Sequence, residues 1–203
     1  YLDTESDELA DLAADLPVKR LKRPPALASN ATDGHEMFAY ECGEVPDADL
    51  YIQCLCTAPF VSTETVTRAI ERLIADPEAD SLVAVHRGKQ YRWEEGEPAY
   101  GRGRIPNSID LPATVVEAMG LYIVRRAPGA PPPTKGCARP PIVFDLDSLE
   151  QIDVNVPAEL ELAETICAGQ RAAANLRLRA MRSHLSSPVL ADICKEMGLK
   201  AVL

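Results

Sequence analysis

The apolar positions fall into short continuous runs separated by stretches of helical spacing. Leu50-Tyr51-Ile52-Gln53-Cys54-Leu55-Cys56 is apolar almost throughout, the pattern of a strand buried on both faces in a parallel sheet. It runs into Thr57-Ala58-Pro59-Phe60, read as a turn at the strand's C-terminal end. Ser62 or Thr63 then caps a helix that places Val66, Ile70, Leu73 and Ile74 at helical spacing. Ser81-Leu82-Val83-Ala84-Val85 is the next strand. Upstream, Tyr1 to Thr4 reads as the end of a strand, and Glu5 to Ala14 as a short helix with Thr4 or Ser6 at its N-cap. Val18 to Leu21 is a short strand and Asp33 to Cys42 a helix. Downstream, Glu117 to Val124 and Ile142 to Phe144 are strands, with a Pro/Gly-rich loop from Ala127 to Pro133 between them.

This β–α–β alternation predicts an α/β fold, a mainly parallel sheet flanked by helices. The pattern breaks between His86 and Thr114, where Tyr91, Trp93 and several glycines and prolines mark an excursion from the sheet. Arms of this kind often pack on a partner subunit. Trp93 fits there as a packing anchor. Gln151 to Asn155 reads as a β-type run ending in Asp153 and Asn155. Two oxygen-bearing side chains two apart on a strand share a face and can hold a hard cation such as Mg²⁺, although helix capping is an equal role for Asp153. Pro157 to Met181 follows as a long helix with a break expected at Gly169.

The chain has 203 residues, 46% of them hydrophobic, which suffices for one substantial domain and an appendage. Its net charge of −10 argues against non-specific nucleic-acid binding, and no run is long and apolar enough to span a membrane. Residues 167–203 carry a net +4 and the preceding part −14. This shift places a boundary near 167, with a domain at 1–167 and a helical segment at 168–203. The six cysteines form no C-x-x-C, and a reduced, cytoplasmic chain is the default reading. Cys54 and Cys56 read as small apolar core residues sharing a strand face. His35, His86 and His184 read as surface or cap residues. No Gly-x-Gly-x-x-Gly occurs, which disfavours a dinucleotide-binding redox protein. Lys19, Arg20, Lys22 and Arg23 form a basic cluster before Pro24-Pro25, either a solvated loop or a place where Arg23 faces a triphosphate.

A series of segments resembles a known family. In order these are Arg23-Pro24, Leu27-Ala28-Ser29-Asn30, Thr57-Ala58-Pro59-Phe60, Asp80 to Val85, Ile109-Asp110-Leu111-Pro112, Gly120-Leu121-Tyr122-Ile123, and Ile152-Asp153-Val154-Asn155 with Pro157-Ala158-Glu159-Leu160. Together they resemble the acylneuraminate (CMP-sialic acid synthetase-like) cytidylyltransferases over roughly residues 1–167. The resemblance implies a Rossmann-like, nucleotide-diphospho-sugar transferase-like fold with a dimerisation arm at 86–114, and hence a homodimer. It implies that CTP and an acidic sugar give a CMP-sugar and pyrophosphate, with Mg²⁺ as cofactor. By position, Arg23, Ser29 and Asn30 would contact the nucleotide. Leu55, Thr57, Ala58, Pro59 and Tyr122 would border the substrate, and Asp153 and Asn155 would bind the metal.

The sequence departs from the family in three places. The family's opening strand and its glycine-rich basic loop have no counterpart, which a truncated chain would explain. Asn155 stands where a second carboxylate is expected, supplying an oxygen without charge. Pro106-Asn107-Ser108-Ile109-Asp110-Leu111 lacks the family's arginine and glutamine. These departures keep a second reading open, a non-catalytic domain of nucleotidyltransferase fold serving dimerisation or regulation. Ser186 to Leu199 resembles the opening helix of domains like the regulator of ribonuclease activity A, or is a terminal helix of the main domain.

Overall fold

The computed structural model describes residues 1–29, 31–126 and 139–185, the last ten of these as helix backbone alone. The loop expected at Ala127–Pro133 and the helix expected at Ser186–Leu199 lie outside the described residues, as does Asn30. The chain divides into two compact units, Tyr1–Asp153 and Val154–Leu203.

In the first unit, β1 (Leu2–Thr4) leads into α1 (Asp7–Asp11), and Ser6 is the N-cap, its side chain accepting from the Leu9 amide. Next, β2 (Arg20–Lys22) pairs parallel with β1 as a separate two-stranded sheet. Helix α2 (Gly34–Glu44) is capped by Asp33, whose carboxylate takes the His35 and Glu36 amides while Glu36 reaches back to the Asp33 amide. Then come β3 (Leu50–Cys54), α3 (Thr63–Ile74), β4 (Ser81–Gly88), the short hairpin β5 (Trp93–Glu94) and β6 (Glu97–Pro98), β7 (Thr114–Arg125) and β8 (Ile142–Asp145).

The main sheet has the order β3-β7-β4-β8. Strand β7 runs antiparallel to both β3 and β4, and β4 pairs parallel with β8. The architecture is therefore mixed α/β, with one reversed strand at the centre of the sheet. Strands β3, β4 and β8 run the same way, and the reversal of β7 leaves no mark in its sequence for a physical reason. Leu121, Tyr122, Ile123 and Val124 are all buried because helices cover both faces of β7, and two-sided burial gives an unbroken apolar run whatever the strand direction. On one face, Leu121 and Ile123 join Ala69 and Leu73 of α3 with Leu82, Ala84 and Leu146. On the other, Val124 and Tyr51 join Phe38 and Cys42 of α2, with the Phe38 and Tyr51 rings edge to face at 6.3 Å.

The inward face of α3 is Thr65, Ala69 and Leu73, with Val66 and Ile70 beside it, whereas Ile74 is 58% exposed. Strand β3 is less enclosed than its composition suggests: Ile52, Cys54 and Cys56 are exposed. The two cysteines lie outside the core, because β3 sits at the end of the sheet and stops at Cys54. Between β4 and β7 the chain makes the expected excursion. The β5–β6 hairpin turns at Glu95 and Gly96, whose φ angles of 51° and 84° fit a two-residue turn with the twist of the strands. Tyr91 stacks edge to face on Tyr100 at 5.6 Å, and Trp93, Ile105 and Ile109 are largely exposed.

In the second unit, α4 (Pro157–Leu185) runs through Gly169 without a break. Glu159 caps its start, accepting from the Asn155 and Val156 amides at 2.6 and 3.0 Å.

Candidate functional site

The turn after β3 is fixed by β7. The Leu55 amide donates to the Gly120 carbonyl at 3.2 Å, and the Ala58 amide closes the turn onto the Leu55 carbonyl at 3.1 Å. Ala58 is buried, Leu55 and Thr57 are half-buried, and Pro59 is exposed. Gly120 is required here: a Cβ at that position would lie 2.8 Å from the Ala58 Cβ and 3.0 Å from Val61 Cγ2. The sequence-predicted substrate turn and the Gly120–Tyr122 segment are therefore brought together.

Tyr122 pairs with Gln53 across the β3–β7 ladder and is 7% exposed. Its hydroxyl donates to Glu117 and lies 3.0 Å from the Met119 sulfur. Burial, then the hydrogen bond and charge of Glu117, then the charge of Asp153 push its phenol well above the usual tyrosine range. Tyr122 is thus held as a neutral hydrogen-bond donor, and Asp153 is close enough for its charge to be felt there.

Gln151–Asn155 do not form the expected strand: residues 152–155 have no regular structure. Residues 148–151 before it form a turn, with the Gln151 amide on the Asp147 carbonyl and the Ile152 amide on the Leu149 carbonyl. Without a strand there, the argument that Asp153 and Asn155 share one strand face does not hold. No shared sheet register fixes them as a pair.

Glu150 was not legible as important, yet it anchors this region. It is 6% exposed, and its Oε1 accepts from the Ser62 amide at 3.0 Å and the Ser62 hydroxyl at 2.8 Å. Its Oε2 accepts from the Asp147 amide at 3.3 Å. Burial alone would raise its carboxyl, but hydrogen bonds from Thr65, Ser62 and Asp147 together hold it below the usual range. Ser62 is also the N-cap of α3, accepting from the Thr65 amide, so one carboxylate ties that helix start to the loop leading to Asp153.

Of the nucleotide candidates, Arg23 lines a cavity that Leu55 and Met119 also line. Arg23 is only 20% exposed and pairs with Asp3 at 2.9 Å and Glu5 at 3.4 Å, so the structure gives it carboxylate partners. Lys22 and Arg20 both reach Asp7. Ser29 lies in an exposed loop, where its Oγ accepts from the Ala31 amide at 3.3 Å. That cavity, of about 610 Å³, is walled by β1, α2 and β3.

Glu41 on α2 lines that cavity. Burial, then the negative charge of Asp3, push its carboxyl up to about 7, and Gln53 Nε2 donates to it at 2.8 Å. A carboxyl raised from 4.5 to about 7 binds more protons folded than unfolded. Its contribution is full below about 4.5 and is lost as pH rises through about 7. Urea unfolding at pH 5 and pH 8 checks this. Glu41→Gln should recover about 1–2 kcal/mol at pH 8 relative to pH 5, after allowing for solvent screening. An unchanged pH dependence in the variant would remove Glu41 as the cause.

Among the described residues, no three His, Cys, Asp or Glu side chains converge to hold a metal ion. Magnesium that arrives with a nucleotide needs less, one or two carboxylates with phosphate oxygens and water completing its shell. A metal cage built from protein ligands is not present among the described residues. No helix among the described residues is long and apolar enough to cross a membrane. No family model matches the chain, and no curated protein matches it.

Proposed function

We propose that this chain is a cytidylyltransferase-like protein that joins an acidic sugar of the sialic or octulosonic type to CMP. In this reading a sugar hydroxyl attacks the α-phosphorus of CTP, a new P–O bond forms and pyrophosphate leaves with the electrons of the broken bond. The observation that carries the reading is the meeting of three segments distant in sequence. The Leu55–Pro59 turn rests on Gly120, and Tyr122 beyond it senses the charge of Asp153. These are the segments whose order along the chain resembles the family, and they gather at the C-terminal end of β3. Ligands in open α/β sheets sit at such ends.

The roles follow from the side chains. The 55–59 turn forms a rigid wall, because Ala58 and Gly120 are in contact and neither has rotamers to lose. Tyr122 stays protonated, its hydroxyl donating to Glu117. Asp153 would hold Mg²⁺, which when bound neutralises charge on the phosphates. Asn155, as an uncharged oxygen donor, would weaken that hold. The exposed Trp93, Ile105 and Ile109 of the 89–113 excursion suit a homodimer contact. The fold would then be a nucleotide-diphospho-sugar transferase-like variant of the Rossmann-like class, in a cytoplasmic protein.

A pyrophosphate-release assay with CTP, Mg²⁺ and a panel of sialic, pseudaminic, legionaminic and octulosonic acids tests the reading. Release should require CTP and one of the acids, and Asp153→Ala should slow it about a hundredfold or more, equivalent to several kcal/mol of lost charge stabilisation. One observation favours the second reading, a non-catalytic domain: Arg23 is engaged by Asp3 and Glu5. Absence of release with every acid, from a folded dimer, would select it.

A further inference from the structure

Strands β1 and β2 pair only with each other, as a two-stranded sheet apart from the main one. Two strands alone are marginal in water, so this pair needs a support. Close packing does not supply it in full, because the 610 Å³ cavity lies between β1, α2 and β3. Two side-chain contacts cross to α2. The Tyr40 hydroxyl donates to the Lys22 carbonyl at 3.0 Å, and the Glu41 carboxyl is hydrogen-bonded with that of Asp3.

The second contact needs a proton. Asp3 Oδ2 accepts from Arg23 Nε at 3.1 Å and Nη2 at 2.9 Å. Asp3 Oδ1 is buried and has no donor in the structure so long as both carboxyls are ionised. Two carboxyl groups hydrogen-bond only when one of them carries a proton. Arg23 holds Asp3 in its charged form, so the proton rests on Glu41, whose O–H supplies the donor that Asp3 Oδ1 lacks. Burial and the charge of Asp3, which push Glu41 up to about 7, agree with this placement.

We infer that β1, α1 and β2 form a flap latched to α2 by the Asp3–Glu41 carboxyl pair, and that loss of the shared proton lifts the flap and opens the cavity. The ionised pair would set two negative charges side by side, with Arg23 shared among Asp3, Glu5 and Glu41. The groups around Glu41 are Asp3 from β1, Arg23 after β2, Gln53 from β3 and Cys42 on α2, with Tyr51 and Cys54 on the same cavity wall. Burial pushes Cys42, Tyr51 and Cys54 upward, so they stay neutral where Glu41 titrates. The latched state holds the extra proton, so latching is strongest below about 4.5 and is lost as pH rises through about 7. This inference rests on the carboxyl pair and the cavity, and not on the proposed reaction.

Amide exchange of the full chain, followed by NMR at pH 5 and pH 8 and expressed as protection relative to the free-chain rate, tests the latch. The reporters are the Leu2 amide, bonded to the Lys19 carbonyl, and the Arg23 amide, bonded to the Thr4 carbonyl. The Arg125 amide, bonded to the Asp80 carbonyl, is the reference for unfolding of the main sheet. Protection at Leu2 and Arg23 should fall about tenfold or more from pH 5 to pH 8 and stay below that of Arg125, with little dependence on dilute urea. Its midpoint should match that of the Glu41 carboxyl, followed by carbon-13 NMR in the same unmodified chain. Glu41→Gln keeps a donor toward Asp3 and an acceptor toward Gln53 at every pH, so it should abolish the fall. Unchanged protection in the parent, a fall that persists in Glu41→Gln, or a midpoint apart from that of Glu41 would overturn the inference. Flap amides that share the protection and urea dependence of Arg125 would also overturn it, since the flap would then open only when the whole fold does.

Discussion

Replacing Glu150 by alanine lowers stability by about 2–4 kcal/mol, among the largest effects of any single polar substitution expected in this chain. The carboxylate accepts two hydrogen bonds from Ser62 and one from the Asp147 amide, and it does so at the N-terminus of α3, where negative charge is favoured. Alanine leaves these donors without an acceptor in a site that is 6% exposed in the native chain. Glu150→Gln keeps an acceptor oxygen and loses only the charge, so its cost should be about half. The pH dependence separates the two contributions. Because the native carboxyl is held below its usual range, its stabilisation is present above the unfolded value near 4.5 and is lost as pH falls through the native one. Glu150→Gln should therefore flatten the acid limb of the stability profile, read by urea unfolding from pH 3 to pH 7. A variant as stable as the parent would show that the Ser62–Glu150 link contributes nothing. The same variant bears on the site, since the link ties the start of α3 to the loop leading to Asp153.

Gly120→Ala should cost about 1–3 kcal/mol, because the new Cβ meets the Ala58 Cβ at 2.8 Å and neither atom belongs to a side chain that can swing away. Either β7 shifts in the centre of the sheet or the 55–61 turn lifts from it. The second outcome opens the wall assigned to the substrate. Ala58→Gly removes the nearer of the two close atoms, so the double variant should recover part of the loss. A coupling of about 1 kcal/mol or more in a double-mutant cycle is expected. Additive losses would mean that the turn does not rest on Gly120.

Elements with strong local signals were legible in the sequence. The Ser62 cap, the helix after it, the Asp33 start of α2 and the Ser81, Glu117 and Ile142 strands are all found where their patterns place them. Strand direction was not legible. Val124 and Leu121 report burial on opposite faces and carry no information about which way β7 runs. The exposure of Cys54 was missed because an apolar run cannot distinguish a central strand from one whose outer edge is free. The strand expected at Gln151–Asn155 failed because short apolar runs also fit turns, and Gln151 and Ile152 close back on Asp147 and Leu149. The 55–59 turn and Tyr122, both singled out in the sequence, lie on the ends of neighbouring strands, while Glu150 was not singled out. Its partner Ser62 lies 88 residues away, and no local pattern can encode a hydrogen bond that the fold creates. Arg23 was read for its charge, and its engagement by Asp3 and Glu5 depends on the β1–β2 pairing, which propensity alone does not give.

The most direct test of the proposed site is a calorimetric titration of CTP, with Mg²⁺ present, into this chain and into its Asp153→Ala variant. The account predicts saturable, Mg²⁺-dependent binding to the parent that weakens about tenfold or more in a variant that is still folded. Binding that is absent in the parent, or that is the same with and without Asp153, would contradict it.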